Sequence, residues 1–262
     1  MTRVVGFDII KPPCCSAEFR TKAYGSLNFS AKEFWSDGCD IGSLAPQDGG
    51  LRQCNCGTYF LLRQCETLRF MNTPKTVAPD GWEEIDLGES GMLLDKAGSR
   101  EYFISLFDTR SAEERAKDPS IPPEAPTVED HQLLALLRSG VQDRDVLIAA
   151  RRRYWRYLND PMRDGYRAHR KEHADSLPDF VPTEEQTQNM VALVTMLEAN
   201  TIDHLEVAEL YRELGDFERA ALSLDRVPVD ESKRVGESQQ ALVPMFRQLV
   251  NRKVRTPVRF RY

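Results

Sequence analysis

The chain has 262 residues, of which 41% are hydrophobic and 29% charged, and its formal net charge is -6. This length and composition fit a soluble globular protein with one large domain or two modest ones. The negative net charge argues against a general attraction to nucleic acid or to an anionic membrane surface.

The N-terminal residues lack the long apolar core of a secretory signal, and no later run approaches the roughly 18 apolar residues of a membrane span. We therefore expect a cytoplasmic protein that does not enter a membrane. Because cysteines stay reduced in that compartment, the six cysteines of the chain are expected to be thiols or metal ligands rather than disulfides.

The N-terminal part contains every cysteine. Residues 1–10 alternate weakly in polarity and predict a first strand that leads into a turn. The apolar and aromatic run at 58–62 predicts a second strand, which would pack a small core. The cysteines follow the first strand. They are Cys14, Cys15, Cys39, Cys54, Cys56 and Cys65.

Two short cysteine pairs are typical of a zinc ribbon, in which two hairpin tips bring four ligands around one tetrahedral ion. The first pair here is Cys14 and Cys15, and the second is Cys54 and Cys56. Both pairs are more closely spaced than the usual Cys-x-x-Cys knuckle. Over residues 8–65 the chain nevertheless resembles bacterial zinc-ribbon proteins.

The resemblance implies that Cys14, Cys54 and Cys56 stand at ligand positions, and that Lys11 stands where the fourth ligand is expected. Lysine cannot serve as an ordinary thiolate ligand, so another cysteine must replace it in space. The candidates are Cys15, Cys39 and Cys65. We take Cys15 as the fourth ligand, although adjacent side chains point apart in an extended chain.

Three interpretations of the cysteines stay open. The first is a rearranged zinc site with four thiolate ligands, in which zinc is a structural cofactor. The second is a ribbon fold that has lost its metal. The third is a set of buried or reactive thiols without any ribbon, because free cysteine often serves as a small buried hydrophobic residue.

The middle of the chain predicts an irregular or β extension followed by a linker. Residues 81–85 and 102–107 fit short strands or a helix, and a cluster of prolines and polar residues follows them. We therefore divide the chain into a zinc-ribbon-like domain at 1–65, this extension at 66–126, and a helical domain at 127–262.

The helical domain is predicted from apolar periodicity and capping signals. Residues 127–130 predict a capping box ahead of a leucine-rich helix, and residues 183–186 predict a second box. A further helix is predicted at 143–158, and a last helix at 232–253 with Pro244 as a kink. Together with the N-terminal strands, these helices predict an α+β protein.

Residues 204–227 resemble one tetratricopeptide repeat, a pair of antiparallel helices that cross closely. Ala208 and Ala220 stand where the helices would cross, Gly215 stands at the tight turn, and Asp216 stands where it would cap the next helix. A generic helical hairpin is the alternative. The resemblance implies a concave surface for a peptide or protein. The whole pattern also resembles uncharacterised bacterial proteins with a ribbon head and a repeat-like helical tail.

Residues 151–156 mix four arginines with two aromatic residues. On a helix, Arg152, Trp155 and Arg156 share one face. Together with Tyr211 of the repeat-like segment, they are our candidate partner-binding residues. One alternative is a nucleic-acid contact in which Trp155 stacks on a base. The other is an amphipathic helix whose aromatic residues are core and whose arginines pair with carboxylates.

No enzyme motif stands out, because the sequence lacks a Gly-x-x-x-x-Gly-Lys phosphate loop, a Gly-x-Gly-x-x-Gly motif and a Gly-x-Ser-x-Gly elbow. We therefore expect a non-enzymatic adaptor, chaperone-like or immunity-type protein that holds one protein or peptide partner. The alternative is a nucleic-acid-associated regulator that uses the ribbon and the arginine-rich helix face.

Overall fold

The protein is described here from a computed structural model. The described residues are 3–26, 33–41, 49–72, 82–86, 91–95, 101–104, 121–172, 180–199, 203–228 and 242–260. Small antiparallel sheets in the N-terminal part and helices in the C-terminal part confirm the predicted α+β class. Within the described ranges, none of the helices has the length and apolar character needed to cross a membrane.

The regular elements are numbered along the chain. The strands are β1 (Arg3–Lys11), β2 (Phe19–Ser26), β3 (Glu33–Trp35), β4 (Asp40–Ile41), β5 (Leu51–Gln53), β6 (Tyr59–Leu61), β7 (Glu66–Asn72), β8 (Trp82–Asp86), β9 (Gly91–Asp95), β10 (Glu101–Ile104) and β11 (Arg259–Phe260). The helices are α1 (Leu133–Arg138), α2 (Arg144–Leu158), α3 (Asp160–Glu172), α4 (Glu184–Glu198), α5 (His204–Leu214), α6 (Phe217–Asp225) and α7 (Val243–Asn251).

The chain folds into two compact units, which we call the thiol unit and the helical unit. The thiol unit contains, among the described residues, 3–26, 50–72, 82–86, 91–95, 101–104 and 121–127. The helical unit contains the described residues from 128 onward and also 33–41 and Gly49.

The thiol unit is built from antiparallel strands. Strand β1 lies between β2 and β7, strand β9 lies between β8 and β10, and β5 forms a hairpin with β6. The strands predicted at 1–10 and 58–62 are thereby confirmed as β1 and β6. A small apolar cluster includes Ile10, Phe19 and Phe60, and buried Cys54 packs in it. A cluster this small contributes little stability by itself, and a metal or a cross-link would add to it.

One larger apolar core holds the helical unit together. It is formed by side chains of α2, α4, α5, α6 and α7, and its fully buried members include Leu193 and Leu210. Burial of one such leucine side chain stabilises the folded state by about 1.5–3 kcal/mol. This core positions the helix faces that surround the cavity described below.

Three helix caps were predicted. Those at Thr183 and Asp216 are confirmed, and the one at Thr127 is wrong. In α4, Gln186 N donates to Thr183 Oγ1 at 3.2 Å, and the Gln186 side chain accepts from Thr183 N at 2.8 Å, which confirms that box. The box predicted at 127–130 is wrong, because Thr127 lies in a β-bridge. The Gln132 side chain instead accepts from Glu129 N at 2.8 Å, one turn before α1.

The other helix ends also compare well with the sequence. The helix predicted at 143–158 is α2, and the side chain of Asp143 caps it by accepting from Val146 N at 3.0 Å. The last predicted helix is seen as α7, while residues 229–241 lie outside the described ranges. Pro244 lies in the first turn of α7 and is not a kink, because proline is tolerated where the amide has no helical partner.

A tight turn joins α5 to α6. Gly215 adopts φ +85°, a left-handed conformation that favours glycine, and Asp216 Oδ1 accepts from Arg219 N at 3.1 Å. Ala208 and Ala220 are fully buried, as expected where two helices approach closely. These local expectations are confirmed, whereas the assignment as a tetratricopeptide repeat stays a prediction.

A small sheet anchors residues 33–41 within the helical unit. Strand β3 pairs with β4 on one side and with β11 on the other, so Trp35 lies opposite Arg259. Ser36 N donates to Val258 O, and Val258 N donates to Ser36 Oγ, both at 2.9 Å. Strand β11 near the C-terminus therefore holds an early segment of the chain.

Candidate functional site

The four cysteines predicted as metal ligands lie together in the thiol unit. The Sγ atoms of Cys14, Cys15, Cys54 and Cys56 all lie within 4.8 Å of one another, and we call this group the thiol quartet. The Sγ atoms of Cys15 and Cys54 are 3.3 Å apart, and those of Cys14 and Cys56 are 3.6 Å apart. Tetrahedral zinc with Zn–S bonds of about 2.3 Å places its sulfur ligands about 3.8 Å apart. The quartet therefore fits one such ion after small side-chain shifts.

The first cysteine pair converges because the chain turns there. Cys14 and Cys15 lie between the end of β1 and the start of β2, directly after Pro12 and Pro13. The rule that neighbouring side chains point apart holds for extended strands and not for a turn. Both adjacent thiols therefore reach the same place, and Cys15 joins the quartet.

The second pair lies on the hairpin turn between β5 and β6. Cys54 N donates to Thr58 O, and Gly57 N donates to Cys54 O, both at 2.8 Å. Gly57 adopts φ +87°, which favours glycine and lets the turn close within few residues. Cys54 is buried and Cys56 is exposed, so the turn presents one thiol to the core and one to solvent.

The other residues considered for the fourth ligand position lie outside the quartet. Lys11 Nζ lies 3.9 Å from a carboxylate oxygen of Glu66 at the sheet edge. Cys65 is half-buried, with its Sγ 3.7 Å from Leu61 O, and Cys39 belongs to the helical unit. Burial raises the pKa of Cys39 and that of Cys65 to about 11, which favours the neutral thiol over the metal-binding thiolate at neutral pH.

The thiols of the quartet differ in acidity. Burial raises the pKa of Cys14 and that of Cys54. The hydrogen bond between Cys56 Sγ and Thr58 Oγ1, which lie 3.4 Å apart, is the main cause that lowers the pKa of Cys56 to about 6. Because the thiolate is the form that binds metal, Cys56 supplies a ready ligand at neutral pH. A bound dication would favour ionisation of the other three thiols.

A second candidate site is a cavity of about 550 Å³ in the helical unit. This volume lies within the range of about 300–1,000 Å³ that is usual for ligand pockets. Phe34, Leu205 and Phe246 contribute apolar wall, and Arg152 and Arg156 contribute charge. The cavity therefore combines an apolar body with a few polar groups, which is the composition expected of a recognition site.

Both cavity arginines are held by contacts within the unit. Arg152 donates to both carboxylate oxygens of Glu206, at 2.5 and 2.6 Å. Arg156 Nε donates to the backbone oxygen of Asp37 at 3.2 Å. Such bonds fix the orientation of each guanidinium group in the wall.

Trp155 and Tyr211 are buried side chains. Trp155 is 2% exposed, and its Nε1 donates to Glu213 Oε2 at 2.8 Å. Tyr211 is 5% exposed, and its hydroxyl donates to Glu198 Oε1 at 2.7 Å. Trp155 lines the cavity with the two arginines, whereas Tyr211 packs in the core. The structure thus brings three of the four candidate partner-binding residues to one place.

The sequence interpretation missed a buried polar network that begins at the cavity wall. Asp37 accepts from Arg163 Nη1 and, at 3.1 Å, from Asn159 Nδ2. Asn159 Nδ2 also lies 3.1 Å from Glu213 Oε2, the oxygen that accepts from Trp155. The i, i+4 spacing of Asn159 and Arg163 indicates a shared face, but no local pattern points to Asp37, which is remote in sequence.

Two ion pairs and one further, completely buried carboxyl group belong to this network. Arg163 pairs with Asp37, and Arg212 donates to both carboxylate oxygens of Glu209, at 2.5 and 2.6 Å. Complete burial raises the pKa of Glu213 well above its usual range, and the nearby Glu209 carboxylate adds to the shift. Burial therefore disfavours the charged form of the Glu213 carboxyl group.

Comparisons with known proteins add no relative. No protein-family model, no curated protein and no solved structure matches the chain. The resemblances to zinc-ribbon proteins and to tetratricopeptide repeats therefore stay predictions. The interpretation of the site depends on the geometry of the quartet and the cavity.

Proposed function

We propose that the chain is a non-enzymatic, cytoplasmic adaptor that holds one protein or peptide partner in the cavity of its helical unit. The observation that carries this proposal is the cavity itself, whose wall brings Arg152, Trp155 and Arg156 together. Its apolar wall would bury a hydrophobic side chain of the partner. The fixed arginines would orient the polar groups of that partner through charge-assisted hydrogen bonds. A chaperone-like or immunity-type role suits such a binder.

Zinc is proposed as a structural cofactor of the thiol unit. Four cysteine thiolates whose sulfur atoms lie within 4.8 Å of one another suit zinc among the common metals of the cell. Four protein ligands leave no open coordination position, which is the arrangement of structural sites and not of catalytic ones. The ion would then stabilise the small core around Phe19 and Phe60.

The alternative of a nucleic-acid-associated regulator has less support. Arg152 is paired with Glu206, and Arg153 Nε donates to Asp130 Oδ1 at 2.7 Å. Guanidinium groups that are already paired gain less free energy when they bind phosphate groups. The net charge of -6 also disfavours general attraction to nucleic acid. Weak binding that falls steeply with added salt would be the signature of this alternative.

Filling the cavity is expected to abolish partner binding. Leu242 lines the cavity at the start of α7, so the substitution Leu242→Trp adds bulk to the wall. The full chain is used as bait in its native host, and proteins that co-purify are quantified by mass spectrometry. We expect the wild-type bait to co-purify with one partner in a fixed ratio. The Leu242→Trp bait should co-purify with at least tenfold less of that partner.

The matched control is Leu222→Trp, the same change at an exposed position of α6 outside the cavity wall. This control bait should retain the partner, and both variants should melt near the wild-type temperature. A partner that stays bound to a folded Leu242→Trp bait would contradict the cavity as the binding site. The absence of any partner in fixed ratio would contradict the adaptor proposal.

A further inference from the structure

Two close sulfur contacts lie within the quartet. They join Cys15 Sγ to Cys54 Sγ at 3.3 Å and Cys14 Sγ to Cys56 Sγ at 3.6 Å. Each pair connects the turn after β1 to the turn between β5 and β6, so neither pair consists of sequence neighbours. A disulfide needs a sulfur separation of about 2 Å, so the two side chains of each pair must rotate toward each other before the bond forms.

We propose that the quartet is a site of two-electron oxidation, at which a peroxide converts the four thiols into the disulfides Cys14–Cys56 and Cys15–Cys54. The pairing follows from these two sulfur contacts. Release of zinc on oxidation is a consequence only if the proposed zinc site exists. The chemical class of the substrate is a hydroperoxide, with hydrogen peroxide as the simplest member.

Differences in solvent exposure favour a defined order of oxidation among the four thiols. Cys56 is exposed, and a surface opening lined by Lys11, Gln64 and Glu66 reaches Cys14 and Cys15. Cys54 is 4% exposed, so it is reached from within the quartet and not from solvent. Each pair therefore joins a more accessible thiol to a less accessible one. The accessible thiol meets the oxidant, and its neighbour resolves the product.

The reaction balances for each pair. The Cys56 thiolate attacks one oxygen of hydrogen peroxide, the O–O bond breaks, and a sulfenic acid forms while hydroxide leaves and takes up a proton. The Cys14 sulfur then loses its proton and attacks the Cys56 sulfur, so that the S–S bond forms and the hydroxyl group leaves as water. Two thiols have lost two electrons, and one peroxide has become two waters. Cys15 and Cys54 react in the same way.

The same balance holds with metal bound. Four zinc-bound thiolates, two molecules of hydrogen peroxide and four protons give two disulfides, one Zn²⁺ ion and four waters. Because a disulfide sulfur no longer offers the anionic thiolate that the ion requires, the metal leaves. The cross-links then join the same two turns that the ion would join, so the small core keeps a covalent support.

Peptide mapping tests the pairing in the full chain. The reduced protein, in zinc-loaded and chelator-stripped forms, is treated with hydrogen peroxide, its free thiols are alkylated, and it is digested with trypsin without reduction. Trypsin leaves Cys14 and Cys15 in one peptide, 4–20, and Cys54 and Cys56 in another, 53–63. We expect these two peptides to be cross-linked to each other, with both forms losing four free thiols. Intrapeptide disulfides, or thiols that stay free, would overturn the proposal.

Double variants decide which sulfur pairs with which. Cys14→Ser with Cys56→Ser leaves the close pair Cys15 and Cys54, and Cys15→Ser with Cys54→Ser leaves the other close pair. The mismatched control, Cys14→Ser with Cys54→Ser, leaves Cys15 and Cys56. We expect each close pair to cross-link at least tenfold faster than the control, and equal rates would overturn the pairing. If wild-type protein forms the cross-links but binds no zinc, the zinc site fails and this proposal stands.

Discussion

Replacing Cys54 by serine is expected to abolish zinc binding and to accelerate amide hydrogen exchange in the strands β5 and β6. Cys54 is 4% exposed, belongs to the quartet and packs in the apolar cluster with Phe19 and Phe60. A metal ion that binds only the folded site stabilises that site, so loss of the ion is expected to loosen the hairpin that carries Cys54. Zinc content per chain and hydrogen exchange of the strands β5 and β6 measure the two effects.

The control for this variant is Cys65→Ser. Cys65 is half-buried and packs against the same apolar cluster, but it lies outside the quartet. This substitution should leave zinc content unchanged and alter exchange in β5 and β6 only slightly. Chelation of the wild-type protein should reproduce the exchange pattern of Cys54→Ser. Retention of zinc by Cys54→Ser at the wild-type level would refute the assignment of Cys54 as a ligand.

Replacing Arg163 by methionine is expected to destabilise the helical unit by about 3–5 kcal/mol, the usual cost of leaving a buried charge without its partner. Arg163 is 1% exposed and donates to Asp37, which is itself 2% exposed. It also donates to Asp160 Oδ1 at 2.7 Å. Because Asp37 belongs to the segment at 33–41, amide exchange there should accelerate together with the loss of stability seen in urea unfolding.

Two comparisons make this prediction specific. The double variant Arg163→Met with Asp37→Asn should recover a large part of the lost stability, because it removes the orphaned charge along with its partner. Arg247→Met breaks an ion pair with Asp225 in which both side chains are about half exposed, and exposed pairs of this kind contribute little. A loss no larger for Arg163→Met than for Arg247→Met would show that the buried pair does not hold the segment.

Local signals predicted the helical unit well. The turn at Gly215, the cap at Asp216 and the box at Thr183 each depend on residues within four positions of one another. Such features are decided by backbone conformation and short-range hydrogen bonds, so the sequence states them directly. The box expected at Thr127 failed because a β-bridge, which is a tertiary contact, took the backbone of that residue.

The clustering of four cysteines was predicted from the sequence, but the architecture that brings them together was predicted only in part. The four cysteines of the quartet were expected as ligands from their pairing, while the turn that makes Cys14 and Cys15 converge is set by the surrounding strands. The pairing of β3 with β11 and the ion pair of Asp37 with Arg163 join residues that are far apart in the chain. Hydrophobic periodicity reports which face of an element is buried, and it carries no information on which distant element covers that face.

X-ray absorption at the zinc edge measures directly whether the four thiolates of the quartet bind zinc. The full chain is purified without chelators, its thiols are kept reduced, and its zinc content is measured on the same sample. We expect one zinc ion per chain, bound by four sulfur ligands at about 2.3 Å. A reduced, folded chain that takes up no zinc, or a zinc ion whose ligands are oxygen or nitrogen, would contradict it.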